Sequence, residues 1–99
     1  MTLKHIKDCN NDYIFEFRDK VKLPNNLFYL LKIFQQNKNY PLTIEDIQKY
    51  YTKDEKKISE NSLKVLISNL KHKIKDDDDC KFIISQNNKL YTFLRIESK

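Results

Sequence analysis

The sequence contains no glycine, no alanine and no tryptophan, and it has only two prolines and two cysteines. Because glycine adopts positive φ most easily, the tight turns of this chain are expected to place asparagine, aspartate or lysine there. Cys9 and Cys80 lie far apart without CxxC spacing, which favours two thiols over a disulfide. No apolar run approaches the roughly 18 residues that cross a bilayer, and no signal peptide is present. We therefore expect a soluble, cytoplasmic protein with no membrane segment.

Positive charge, in contrast, is in excess. The chain has 19 lysines and arginines against 14 acidic residues, a formal net charge of +5 over 99 residues. That length predicts one domain, residues 1–99. A basic excess on a small domain favours an anionic partner, most commonly nucleic acid, with a membrane surface or an acidic protein as alternatives. The codon bias of an AT-rich genome would also enrich lysine and is the competing explanation.

The amino-terminal quarter reads as a small sheet. Residues 13–17, YIFEF, alternate as a strand does, and residues 18–20, RDK, are typical of a tight turn. Residues 21–23 then form a short return strand. We therefore predict an antiparallel sheet over residues 1–23.

Three amphipathic helices are predicted within residues 24–75. The first follows Pro24, which suits a helix start, and the second follows Thr43, a good N-cap. The third follows Ser59, again an N-cap residue type. Two strands, residues 81–86 and 89–96, then form a hairpin through a type I′ turn at Asn87 and Asn88.

The third helix has two opposed faces. Placing successive residues about 100° apart puts its leucines and isoleucines on one side. The other side carries only cationic or neutral groups, namely Asn61, Lys64, Val65, Ser68, Asn69, Lys71, His72 and Lys75. A merely solvated face usually mixes both signs of charge, whereas no acid follows Glu60 here. These groups suit the major groove of DNA, although lysines in a last turn also stabilise the helix dipole without any ligand.

Residues 65–74, VLISNLKHKI, resemble the recognition-helix signature V-x-I-x-x-L-R-x-K-L of the OmpR/PhoB-type DNA-binding domains of bacterial response regulators. That family has an amino-terminal sheet, a helix opening L-T-x-x-E-[FY]-x-L-L, a helix-turn-helix and a hairpin wing ending G-x-G-Y-R-[LF]. The corresponding stretches here are LPNNLFYLL, TIEDIQKYY, the third helix and NNKLYTFL. The resemblance implies an α+β winged helix-turn-helix with an N-terminal antiparallel sheet, three helices and a C-terminal β-hairpin wing.

Several residues depart from the family pattern. Leu27 stands where the family usually has glutamate, and Lys71 stands where it has arginine. Asn88 and Leu90 replace the two wing glycines, although Tyr91 is kept. Lys71 gives up the bidentate recognition of guanine or phosphate that a guanidinium provides. No receiver domain precedes the domain in this sequence, so the resemblance does not imply control by phosphorylation.

The resemblance also implies a site. Its major-groove and flanking phosphate contacts would be Asn61, Ser62, Val65, Ser68, Asn69 and Lys71. The wing turn, which would approach the minor groove, is Asn87, Asn88 and Lys89. The helical wheel adds Lys64, His72 and Lys75. The loop of residues 53–58 corresponds to a family loop that often contacts RNA polymerase, and its lysines also suit phosphates.

We predict a sequence-specific regulator of transcription that places helix 59–75 in the major groove of double-stranded DNA and turn 87–89 in the minor groove. Its small footprint favours a homodimer or tandem binding, and its location would be the nucleoid. The alternative is a winged-helix protein-interaction module, an adaptor or anti-regulator that does not bind DNA. An enzyme is not expected, because no nucleophile elbow or glycine-rich phosphate loop is present. Neither a cofactor nor a metal is expected, since the DDDD run at 76–79 and the scattered His and Cys residues lack ligand spacing.

Overall fold

The computed structural model of the protein describes residues 14–77, 80 and 82–95. Within these residues the chain forms four helices and a two-stranded antiparallel hairpin, so the predicted α+β winged-helix class is confirmed. The elements are α1 (14–21), α2 (Asn25–Gln36), α3 (Ile44–Lys53), α4 (Glu60–Asp76), β1 (Phe82–Asn87) and β2 (Leu90–Arg95).

The predicted strands before Pro24 are wrong for the described residues. Residues 14–21 form a helix, where the sequence pattern predicted a strand, a turn and the start of a return strand. Ile14 and Phe17 are buried and Val21 is partly buried, a spacing of three and four residues that defines one helical face. The ring of Phe17 packs edge-on against Phe82, with centroids 5.2 Å apart. Packing of Phe17 against the hairpin therefore favours a helix over a strand here. Residues 1–13 of the predicted sheet lie outside the described residues.

Both predicted N-caps are present, and they define where α3 and α4 begin. Thr43 Oγ1 accepts a hydrogen bond of 3.1 Å from the Asp46 N–H, and the Thr43 N–H donates to Asp46 Oδ2 at 3.0 Å. The Thr43 N–H also lowers the pKa of the Asp46 carboxyl, because it stabilises the charged form. Ser59 Oγ accepts from the Ser62 N–H at 3.1 Å. The two helices of the helix-turn-helix thus start at specified residues.

The core lies between α2, α3, α4 and the inner face of the hairpin. Helix α4 occupies its centre and contacts α2, α3 and β1. Its buried residues are Leu63, Ile67, Leu70 and Ile74, which follow one another at intervals of four, three and four. The side of α4 that these residues define is held by the core, so its opposite side faces solvent.

The hairpin turn lies one residue later than predicted. Asn87 pairs with Leu90, so the turn residues are Asn88 and Lys89. Asn88 has φ 61°, whereas Lys89 does not have a positive φ, so the predicted type I′ turn, which requires both, is wrong. The other described residues with positive φ are Lys22, Asn39 and Glu55. Glutamate was not among the residue types expected there.

A short third segment pairs with β2 close to the wing turn. The Leu42 N–H donates to the Tyr91 carbonyl at 2.7 Å, and the Tyr91 N–H donates to the Leu42 carbonyl at 2.8 Å. The Asn39 N–H donates to the Phe93 carbonyl at 2.9 Å. The first half of β2 is therefore hydrogen-bonded on both edges.

Candidate nucleic-acid interface

The solvent-facing side of α4 is the surface that the helical wheel predicted. Exposed there are Asn61, Ser62, Lys64, Val65, Ser68, Asn69, His72 and Lys75, and Lys71 is partly buried at its edge. Val65 leaves 58% of its surface in water. A valine in mid-helix contributes little helix propensity and, in this position, no core packing. Its exposure is therefore the kind of feature that a binding surface explains.

The first turn of α4 has its own side-chain contacts. Lys64 Nζ lies 3.1 Å from Glu60 Oε2, an exposed i,i+4 ion pair. Ser62 Oγ and Ser59 Oγ are 3.0 Å apart and share a hydrogen bond. Such exposed contacts stabilise a helix only weakly, so a phosphate can replace them at little cost. Glu60 directly precedes the stretch from Asn61 to Lys75, which contains no acidic residue.

Farther along α4, two predicted residues are held in place by hydrogen bonds. His72 Nδ1 lies 2.9 Å from the carbonyl oxygen of Ser68, one turn earlier. Lys71 Nζ donates to Gln86 Oε1 of β1 at 3.3 Å. The imidazole is therefore oriented along the helix, and the lysine is oriented toward the wing.

Gln86 connects the helix to the wing turn, and sequence reasoning missed it. Its Oε1 accepts from Lys71, while its Nε2 donates to the carbonyl of Asn88 in the turn, also at 3.3 Å. The signal was available in the alternation of β1, because Phe82, Ile84 and Gln86 share one face and the first two are buried. A polar residue at the outer end of that face lies next to α4. Through Gln86 the two predicted contact elements keep a defined spacing.

A groove of about 670 Å³ runs between α4 and β1. Its polar lining residues are Lys64, Ser68, Lys71, His72, Lys75, Asp77 and Gln86. Asp77 is the acid among them, and its Oδ1 is bonded to Lys20 Nζ of α1 at 2.8 Å. The α4 side of the groove therefore presents a net positive charge.

A second groove, of about 420 Å³, lies where the starts of α3 and α4 meet the wing turn. Its lining includes Asn88 and Lys89 of the turn, and Lys64 and Gln86 line both grooves. All three predicted wing residues, 87–89, are exposed. The structure thus brings the wing turn beside the start of α4, where Glu60 and Lys64 line the groove together with Glu45 of α3. Asn61, Ser62, Val65 and Asn69 are exposed on α4 but line neither groove.

The loop between α3 and α4 is anchored to the body of the domain. The Tyr29 hydroxyl hydrogen-bonds the Asp54 carboxylate and lies 3.2 Å from the Tyr50 carbonyl. Burial, followed by the hydrogen bond and charge of Asp54, raises the pKa of Tyr29 to about 12. Gln48 Nε2 donates to the Ile58 carbonyl at 3.0 Å. The loop thus has a defined shape, and its exposed cations are Lys53, Lys56 and Lys57.

Among the residues that the structure describes, no cluster of three or more histidine, cysteine or acidic side chains is placed to hold a metal. No helix among those residues is long and apolar enough to span a bilayer. Cys80 Sγ lies 3.4 Å from the Phe82 carbonyl oxygen. Cys9 and His5 lie outside the described residues.

A comparison with protein-family models places this surface in context. The family described as "Transcriptional regulatory protein, C terminal" matches residues 18–93, more than half of the chain. It is the OmpR/PhoB-type DNA-binding domain, so the resemblance inferred from residues 65–74 is confirmed. No curated protein and no solved structure matches the chain.

Proposed function

Because this chain belongs to the family of C-terminal DNA-binding domains of transcriptional regulatory proteins, we propose that it reads specific double-stranded DNA through α4 and the wing turn. The family is one of DNA-binding domains in transcription regulation and not a family of enzymes. In the proposed complex α4 enters the major groove, and residues 87–89 approach the adjacent minor groove. The observation that carries this assignment is the exposed face of α4 beside the wing, which has no acidic residue from Asn61 to Lys75.

The dimensions of α4 suit this role. Its 17 residues span about 25 Å, and the major groove of B-DNA, about 12 Å wide, admits one α-helix. Val65 offers an apolar contact for a thymine methyl group, and Asn69 offers the paired donor and acceptor that match adenine. Ser68 can bond to either a base or a phosphate. These exposed side chains would supply the sequence preference.

Phosphate contacts would supply most of the affinity. Lys64, Lys71 and Lys75 of α4 and Lys89 of the wing turn line the two grooves. Each lysine that neutralises a phosphate releases condensed counterions, so binding weakens steeply as salt is raised. The net charge of +5 adds a long-range attraction toward DNA.

The proposed DNA binding also bears on the oligomeric state, the role of loop 53–58 and the location of the protein. One domain covers a short site, so binding as a homodimer or in tandem on repeated half-sites would supply the missing specificity. The anchored loop 53–58 presents exposed lysines toward either RNA polymerase or flanking phosphates. A DNA-binding role would place the protein in the cytoplasm, at the nucleoid.

The test is binding to labelled random duplex DNA at several salt concentrations, measured by fluorescence anisotropy. We expect an affinity that falls steeply with salt, followed by enrichment of one site when duplexes are selected from a random pool. Absence of binding even at 20 mM salt would contradict the proposal. A pull-down that then recovers a protein partner would favour the alternative, a winged-helix interaction module without DNA binding.

A further inference from the structure

His72 lies near the centre of the exposed face of α4, and its ring is held by a bond within the helix. Its Nδ1 is 2.9 Å from the carbonyl oxygen of Ser68. A carbonyl oxygen only accepts hydrogen bonds, so Nδ1 carries the proton in this arrangement. In the neutral imidazole the other ring nitrogen, Nε2, is then an acceptor. The hydrogen bond thus selects one of the two neutral tautomers and leaves a single acceptor for a ligand.

We propose that His72 is a specificity-determining residue whose preferred base changes with its protonation. In the neutral form, Nε2 accepts a hydrogen bond from an exocyclic amino group, N6 of adenine or N4 of cytosine. In the protonated form, Nε2 carries a proton and donates to an acceptor, such as O6 or N7 of guanine or O4 of thymine. This inference rests on the proposed function, because it assigns base chemistry to the α4 face that would enter the major groove.

The chemistry of the major groove makes the two forms distinguishable. In that groove cytosine presents an amino donor, guanine and thymine present acceptors, and adenine presents one of each. An acceptor on the protein therefore favours adenine or cytosine at the contacted position, whereas a donor rejects cytosine and admits guanine or thymine. Protonation also adds one positive charge to the interface, which raises affinity for every duplex. Protonation of His72 should therefore change two separate measured quantities, the base preference at one position and the overall affinity for duplex DNA.

The ionisable side chains near His72 come from α4, from the segment that follows it and from β2. Those that line the groove with it are Lys64, Lys71, Lys75, Asp77, Cys80 and Tyr91. Asp76 follows it by one helical turn, and Asp77 is bonded to Lys20 of α1. Strand β1, across the groove, contributes no ionisable side chain. Histidine is the side-chain type that proteins most often use as a proton-dependent switch near neutral pH.

The experiment is selection of bound duplexes from a random pool at pH 6.0 and at pH 7.8. It uses the wild-type chain, His72→Gln and His5→Gln. Glutamine keeps a neutral hydrogen-bonding side chain that cannot gain a proton in this range. His5 is the other of the two histidines in the chain, so His5→Gln is the matched control. Circular dichroism of both variants checks that the helices form, and for His72→Gln we expect no change because that side chain is exposed.

In the wild type we expect guanine and thymine to gain about tenfold over cytosine at one position of the selected site when the pH falls from 7.8 to 6.0. His5→Gln should behave as the wild type does, and His72→Gln should select the same base at both pH values.

Two results would overturn the inference and leave DNA binding intact. One is a wild-type site that is identical at both pH values, and the other is a change of base that persists in His72→Gln. Failure to enrich any duplex at either pH, together with no salt-dependent binding to random DNA, would instead contradict the proposed function itself.

Discussion

The salt dependence of DNA binding gives a quantitative test of the α4 face. Lys64, Lys71, Lys75 and Lys89 are the lysines that line the two grooves beside α4 and the wing turn. If each neutralises one phosphate, log K falls with log salt at a slope of about −3.6. Raising the salt from 50 to 200 mM would then weaken binding about 150-fold.

Replacing one of these lysines should remove one of the four phosphate contacts that determine the slope. For Lys75→Ala we expect a slope of about −2.7 and a loss of about 40-fold over the same salt range. The effect should be nearly equal on all duplexes, because phosphates carry no sequence information. Lys32→Ala is the matched control, since Lys32 is an exposed lysine of α2 whose ammonium lies 5.4 Å from the Phe28 ring centroid. Lys32 lines neither groove.

The assay is fluorescence anisotropy with one selected and one random duplex, titrated at four or more salt concentrations. Equal slopes for the wild type, Lys75→Ala and Lys32→Ala would refute the reasoning, because Lys75 would then contact no phosphate. A reduced slope for Lys32→Ala alone would place the interface on the other side of the domain.

Three further outcomes are expected. Asn69→Ala should change the preference among duplexes, at a cost of about 1–3 kcal/mol on the selected site and little on random DNA. Gln86→Ala removes the bonds to Lys71 and Asn88, so a footprint should lose protection at the wing while the fold, checked by circular dichroism, remains. Tyr51→Phe should raise the free energy of unfolding by about 1 kcal/mol in urea titrations, because the buried Tyr51 hydroxyl has no partner among the described residues. Burial raises the pKa of Tyr51 from 10.0 to about 12, so the unfolded chain ionises first, and the stability that is present below pH 10 is lost as pH rises toward 12. The alkaline decline in stability should therefore be shallower in Tyr51→Phe than in the wild type.

Local signals predicted the part of the domain that faces the proposed ligand. The spacing of Leu63, Ile67, Leu70 and Ile74 determines which side of α4 enters the core, and hence which side is exposed. The N-caps are equally local, because an N-cap hydroxyl bonds an N–H only three residues away. The family signature, residues 65–74, lies in this same helix, so the sequence alone carries the resemblance.

Tertiary contacts decided between helix and strand in the one stretch whose sequence fits both patterns. The stretch after residue 13 fits a strand by its alternation and a helix by the spacing of Ile14, Phe17 and Val21. Contact of Phe17 with Phe82, some 65 residues away along the chain, favours the helix. The contacts of Gln86 with Lys71 and of Tyr29 with Asp54 also depend on tertiary structure, because they join residues 15 and 25 positions apart in different elements.

By itself, then, the sequence determined which helix carries the basic face, which residues lie on it and which family the domain resembles. These properties depend on interactions within one or two turns of a helix, whose geometry is the same in every protein. Only the tertiary structure decided that helix α1 precedes the core, that Gln86 links α4 to the wing turn, and that Tyr29 anchors the loop. Those features depend on which surfaces meet when the core closes, and no local period encodes that choice.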